Sequence, residues 1–155
     1  MKKVHFIGIG GTGISAIALL LLEKGWQVSG TDKSASRYFD AVSAKGARTI
    51  LGHSPELALE ADVIVRSSAV HDDDPEVLAA REKGIPVLKR NQFLPELTAG
   101  YQTLAVAGSH GKTTCTAMLV TLLLGLGMDP SFILGAQIRP LATNAHAGTS
   151  DIFVI

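Results

Sequence analysis

Lys112 and Thr113 follow the run Gly108-Ser109-His110-Gly111, and the residue types in that order suit phosphate chemistry. Glycines allow a loop tight enough to turn its amide N–H groups onto phosphate oxygens. A lysine can then reach the terminal phosphates, and a threonine hydroxyl can ligate Mg2+. This is a P-loop in chemistry. It gives Gly108, Ser109, His110, Gly111, Lys112, Thr113 and Thr114 as candidate ATP contacts, Lys112 and Thr113 as the catalytic pair, and Thr113 as the Mg2+ ligand. The spacing is the shorter G-x-x-G-K-T, since the common G-x-x-x-x-G-K-[ST] would need glycine at Val106. His110 either touches phosphate or orients the turn. Cys115 lies on the helix that starts at the loop and is expected to be a small core residue rather than a nucleophile.

A second glycine loop lies near the N-terminus, in VHFIGIGGTGIS, Val4 to Ser15. Gly8, Gly10 and Gly13 fit G-x-G-x-x-G between an apolar run, His5 to Ile9, and apolar residues at helical spacing, Ile14, Ile17, Ala18, Leu21 and Leu22. On this reading Gly8 permits the tight turn and Gly10 lets a ligand approach the backbone. Gly13 lets helix and strand pack closely, and the helix N-terminus receives an anion. About twenty residues on, WQVSGTD reads as the next strand, with Asp32 at its carboxyl end placed to accept hydrogen bonds from a ribose. A dinucleotide is one occupant of such a loop, but a dehydrogenase has no need of the second phosphate loop at Lys112.

The elements that position these loops follow from punctuation and periodicity. Helices are predicted near Arg37–Lys45 and Pro55–Glu60, and strands at Arg48–Leu51 and Asp62–Arg66. In DDDPEVLAAREKGIPV, Asp74 is the N-cap, Pro75 the first helical residue and Gly84 the residue just past the end. The βα alternation predicts a doubly wound parallel sheet, and the AGYQ stretch near residue 100 reads as a linker. Two units follow: a Rossmann-like domain over residues 1–99, and over residues 100–155 the N-terminal part of a P-loop ATP-binding α/β domain. His71 with Asp72, Asp73 and Asp74 is read as a charged loop supplying a helix cap rather than a metal site.

Composition excludes several classes. Fourteen Lys and Arg balance fourteen Asp and Glu, so no strong field draws the chain to nucleic acid or an anionic membrane. The single Cys115 excludes an intrachain disulfide framework and fits a reducing, cytoplasmic setting. The apolar run Ala117 to Leu126 is too short to span a bilayer.

GIGGTGIS followed by SGTD, SSAV, DPEVLAAREKGIPV and AVAGSHGKTT resembles the Mur ligase family over essentially the whole chain. The resemblance implies that the first glycines hold a nucleotide sugar rather than a dinucleotide. Gly8, Gly10, Gly11, Thr12 and Gly13 would line the diphosphate and Asp32 would lie near the nucleoside. Ser67 and Ser68 would lie towards the uridine, although they could equally be ordinary loop caps. Thr143-Asn144-Ala145 resembles a family segment near the sugar. The implied reaction uses ATP and Mg2+ to phosphorylate the lactyl carboxylate of UDP-N-acetylmuramate. The amine of L-alanine, or of a preformed peptide in related ligases, then displaces phosphate to form an amide. The family pattern continues past SDIFVI into an acidic Mg2+ cluster and an amino-acid domain, so these 155 residues alone are expected to bind nucleotide without turnover. Oligomeric state is not legible.

Overall fold

Residues 2–138 and 141–155 are described by the structure, a computed structural model. Five parallel strands form the first sheet: β1 (Lys3–Ile7), β2 (Gln27–Asp32), β3 (Arg48–Leu51), β4 (Val63–Arg66) and β5 (Val87–Lys89), in the order β3-β2-β1-β4-β5. Order reverses at β1, so the crevice at its carboxyl end is the topological switch point where ligands of such sheets bind. The helices between them are α1 (Thr12–Glu23), α2 (Arg37–Ala44), α3 (Pro55–Ala58) and α4 (Pro75–Glu82). A fifth, α5 (Arg90–Thr98), follows β5 directly.

Alternation along β1 divides the helices between two faces. Val4 and Phe6 join α1, α2 and α5 in one core, with Ile17, Leu20, Val42, Phe93 and Leu97. Ile7 packs with Ala58, Val77 and Ala80 of α3 and α4 on the other. The expected punctuation of α4 is present: the Asp74 side chain accepts the Glu76 amide at 3.0 Å, Pro75 opens the helix, and Gly84 follows it at φ +70°. β1 ends two residues earlier than its apolar run, and Ile9 belongs to the glycine loop.

The second sheet has the order β6-β9-β7-β8, from β6 (Gln102–Leu104), β7 (Ser131–Ile138), β8 (Thr143–His146) and β9 (Ile152–Val154). β9 runs parallel to both β6 and β7, whereas β8 is antiparallel to β7. The β7–β8 hairpin is the element that sequence periodicity did not reveal. Helix α6 (Lys112–Gly125) packs Val120 and Leu123 on Phe132, Leu134 and Val154 of one face of this sheet. From the other face, Ile133, Ala145 and Phe153 enter the same core as α1.

Helix α1 therefore lies between the two sheets, and every residue from Ile14 to Leu21 is buried. A helix that is apolar on all sides is stable only when covered on all sides, which explains why ISAIALLL shows so little polar relief. Tyr101 ties the junction between the sheets: its ring meets Phe153 edge-on at 5.5 Å between centroids, and its hydroxyl accepts from Lys24 at 3.0 Å. Among the described residues no helix is long and apolar enough to cross a membrane.

Candidate functional site

A cleft of about 490 Å3 opens at the carboxyl ends of β1, β2 and β4. Gly8, Gly11, Thr31, Asp32 and Ser67 line it together with His71 of the expected capping loop and with Lys33 and His53, which motif reading did not single out. Lys33 follows Asp32 in the chain, His71 precedes the run Asp72–Asp74, and His53 lies on the loop after β3. Only the strand order, which puts β2 and β4 on either side of β1, brings these loops to one mouth.

The glycine loop is built by its own residues before any ligand is considered. Gly8 takes φ +84°, and its amide and that of Ile9 both donate to the Thr31 carbonyl, at 2.8 and 3.0 Å. The Asp32 carboxylate accepts the Gly10 amide at 2.8 Å and the Ser34 amide at 3.2 Å, so this residue first holds the loop. A Cβ on Gly10 would stand 2.9 Å from Ser36 Oγ, 3.0 Å from Asp32 Oδ2 and 3.2 Å from Phe39 Cβ. The space expected for a ligand at Gly10 is filled by the protein itself. Close approach of the glycine loop to β2 is served by Gly30, where a Cβ would meet Ile9 Cδ1 at 2.6 Å and the Phe6 carbonyl of β1 at 2.7 Å. Over Gly13 lies the side chain of Arg90 instead.

What the loop offers a ligand is its helix start. Gly11 precedes α1 without any side-chain cap, which leaves the amides of Thr12, Gly13 and Ile14 without helical acceptors. Asn144, fully buried on β8, donates Nδ2 to the Thr12 carbonyl at 3.2 Å, while its Oδ1 has no partner. The second sheet thus reaches the same helix start. Ser67 lines the cleft and its Oγ accepts the Ala69 amide at 3.4 Å, a loop-capping bond, whereas Ser68 is not among the lining residues.

Beneath the cleft lies a buried polar cluster. Glu76, fully buried in the first turn of α4, accepts the Thr31 hydroxyl at 2.7 Å and the Ser54 amide at 2.5 Å. His5, also fully buried, places Nε2 3.6 Å from Glu76 and bonds Ser29 Oγ through Nδ1 at 2.9 Å. Burial is the largest influence on the Glu76 carboxyl and works to raise it. The nearby His5 ring and the bonds from Ser54 and Thr31 outweigh burial and hold the carboxyl below its usual range. The acidic loop is accounted for by structure: Asp72 pairs with Arg66 at 2.8 Å and with Arg81 at 2.6 Å.

The second phosphate loop is exposed throughout. Gly111 takes φ +77° as the N-cap of α6, and the first helical bond runs from the Cys115 amide to the Gly111 carbonyl at 2.9 Å. Among the described residues no bond engages the amides from Gly108 to Thr114, which is the property a phosphate cradle requires. Lys112 Nζ donates to the Gly108 carbonyl at 2.6 Å and to that of Ser109 at 3.3 Å, so the cation already lies over the loop. Thr113 Oγ1 is 2.9 Å from where a Cβ on Gly135 would stand, so the bare backbone of β7 gives the hydroxyl room. Cys115 is exposed, contrary to the expected core position, because it lies off the stripe of α6 that Thr116, Val120 and Leu123 bury.

The model of the Mur ligase family, catalytic domain, matches residues 3–102. A UDP-N-acetylmuramate–L-alanine ligase of Frankia casuarinae is 48% identical over 99% of this chain and 32% of that protein. Its Aquifex aeolicus namesake is 45% identical over 99% of this chain and 34% of that protein. The chain thus spans about a third of the length of the curated relatives it matches. Among solved structures, the UDP-N-acetylmuramate-alanine ligase of Thermotoga maritima superimposes with a TM-score of 0.91 at 30% identity, over 99% of this chain and 37% of that one. The UDP-N-acetylmuramate:L-alanyl-gamma-D-glutamyl-meso-diaminopimelate ligase of Neisseria meningitides gives 0.91 at 31% identity, over 100% and 52% of the two chains. With the family model covering more than half of its length, the chain belongs to the Mur ligase family.

Proposed function

We propose that this chain forms the nucleotide-sugar site and the ATP loop of a cytoplasmic, ATP-dependent ligase of peptidoglycan precursor synthesis. The reaction joins L-alanine to the lactyl carboxylate of UDP-N-acetylmuramate through an acyl phosphate. The observation that carries this reading is the presence of two glycine loops suited to phosphate in one chain: one beside a 490 Å3 cleft, the other at the start of a 14-residue helix. A nicotinamide-dependent protein accounts for the first and leaves the second without a purpose.

In this reading residues 1–99 form the unit that holds the nucleotide sugar and residues 100–155 contribute the ATP side. The free amides of Thr12 and Gly13 take the diphosphate, with Gly8, Gly10 and Gly11 shaping the loop. Asp32, Ser67 and Ser68 lie on the nucleoside side, and Asn144 Oδ1 is left to accept from the sugar. Gly108, Ser109, His110, Gly111 and Thr114 surround the ATP phosphates, Lys112 neutralises their charge, and the Thr113 hydroxyl is the metal ligand. Mg2+, when bound there, supplies charge neutralisation for phosphoryl transfer, a reaction governed by positioning and electrostatics. Lys112 serves that role by exchanging the Gly108 and Ser109 carbonyls for phosphate oxygens. L-Alanine is favoured as acceptor because the curated relatives at 48% and 45% identity are named for it.

Calorimetric titration of the 155-residue chain tests the reading: UDP and UDP-N-acetylmuramate are expected to bind and NAD is not. Heat from NAD with none from UDP would overturn it.

A further inference from the structure

We propose that Arg90 is a ligand for the diphosphate of the nucleotide sugar, clamping it onto the start of α1 from the side opposite the cleft. This rests on the nucleotide-sugar reading above and adds a residue that neither glycine loop supplies.

Position comes first. Arg90 is the first residue of α5, immediately after β5, at the same carboxyl edge of the sheet as the glycine loop. Gln92 Oε1 accepts the Lys89 amide at 2.8 Å, which fixes the turn from β5 into α5 and so the direction in which Arg90 leaves the backbone. The side chain crosses to α1, where a Cβ on Gly13 would stand 3.0 Å from Arg90 Nε and 3.1 Å from Cζ. Gly13 lacks a side chain, and the guanidinium occupies the space where one would stand at the first turn of α1. The amides of Thr12, Gly13 and Ile14 open there.

Charge makes the placement informative. Arg37, Arg48, Arg66 and Arg81 each have an oxygen partner: the Tyr38 hydroxyl, Glu60, and for the last two Asp72. Arg90, an exposed residue, has none among the described residues, although its Nε and Cζ lie close over Gly13. It also stands at two helix N-termini at once, its own in α5 and that of α1. Each such terminus carries partial positive charge and disfavours a cation by some tenths of a kcal/mol. A stability argument therefore gives the wrong sign for an arginine here. The conflict resolves if an anion joins the guanidinium and the amides, because a planar fork of donors suits phosphate oxygens. Local violations of this kind collect at functional sites.

The test compares wild type, Arg90→Gln and Gly13→Ala for affinity to UDP and to uridine by calorimetry, with thermal melting of each chain without ligand. The expected result for Arg90→Gln is a loss of UDP affinity on the order of tenfold, the usual effect of one charge-assisted bond. Uridine binding should be unchanged and the ligand-free melting temperature equal or slightly raised, since a cation has left two helix starts. Gly13→Ala, which pushes the guanidinium aside, should weaken UDP in the same sense. Equal UDP affinity in wild type and Arg90→Gln overturns the proposal while the functional reading stands. A parallel loss for uridine, or a lowered melt in Arg90→Gln, assigns Arg90 to the fold and also overturns it. Absence of UDP binding by wild type overturns both.

Discussion

The Asp32 carboxylate holds the Gly10 amide at 2.8 Å across the mouth of the loop, and the lack of a side chain at Gly10 is what allows the two to meet. The pair is a structural unit that exists without ligand. Asp32→Ala removes a charged acceptor from two amides, and bonds to charged groups contribute about 1.5–3 kcal/mol. Because the carboxylate is half-buried, a loss of about 1 kcal/mol in urea unfolding is expected, together with weaker UDP binding. Unchanged stability would show that the loop keeps its shape without Asp32.

Gly10→Ala is expected to destabilise the ligand-free chain, since its Cβ would press on Ser36, Asp32 and Phe39. Overpacking of this kind costs typically about 1–3 kcal/mol. If the ligand-free melt is unaffected and only UDP affinity falls, the space at Gly10 belongs to the ligand after all.

Glu76 makes stability depend on acid. Its carboxyl lies below its ordinary value in the folded chain, so it contributes stability above the unfolded pKa and loses that contribution as pH falls through the folded one. Glu76→Gln should lower the unfolding free energy at neutral pH by about 2 kcal/mol, because Ser54 and Thr31 lose a charged acceptor. The difference from wild type should shrink as pH falls below the ordinary glutamate range, where the unfolded chain and then the folded one take up the proton. Urea titrations at neutral pH and near pH 3 measure both; a difference independent of pH would remove the carboxylate charge from the account.

Lys112 is exposed and bonds only to its own loop, so Lys112→Ala should change stability by less than about 0.5 kcal/mol. UDP affinity should be preserved. Binding of an ATP analogue should fall by more than tenfold, by the loss of a charged donor to phosphate. Calorimetry with each nucleotide separates the two loops, and joint loss of both affinities would contradict their independence.

Cys115 is exposed on the first turn of α6 and should react in the native chain with an aromatic disulfide reagent. An ATP analogue should slow the reaction, because the loop amides lie one turn away. A thiol that reacts only after unfolding would contradict its placement.

Most of the first sheet was legible because its elements are short, punctuated and local. Asp74-Pro75 opening α4 and Gly84 ending it are signals carried within one segment, as was the strand Arg48–Leu51. The P-loop residues are contiguous too, and so visible. What remained hidden depends on distant pairing. His53 reaches the cleft only through strand order, and Arg90 meets Gly13 across 77 residues of chain. The β7–β8 hairpin shows neither clean alternation nor a tight turn motif, and its pairing register shifts between Ile133 and Ile138. Gly10 and Gly13 were matched to a motif correctly but for other reasons than those found: their neighbours are Ser36 and Arg90, which no local pattern announces. Cys115 is expected inside because a free cysteine is more often a small core residue than a nucleophile, whereas only Thr116, Val120 and Leu123 of α6 are buried.

The burial of α1 on both sides also sets an order of events during synthesis. Its twelve residues emerge early, and β1, β2 and β4 can cover one side soon after. The other side waits for Ile133, Ala145 and Phe153, more than a hundred residues later. At roughly 5–20 residues per second, an apolar helix face stays open on the nascent chain for several seconds or longer. A stop or slow stretch of translation before β7 would leave that face to chaperones or to other nascent chains.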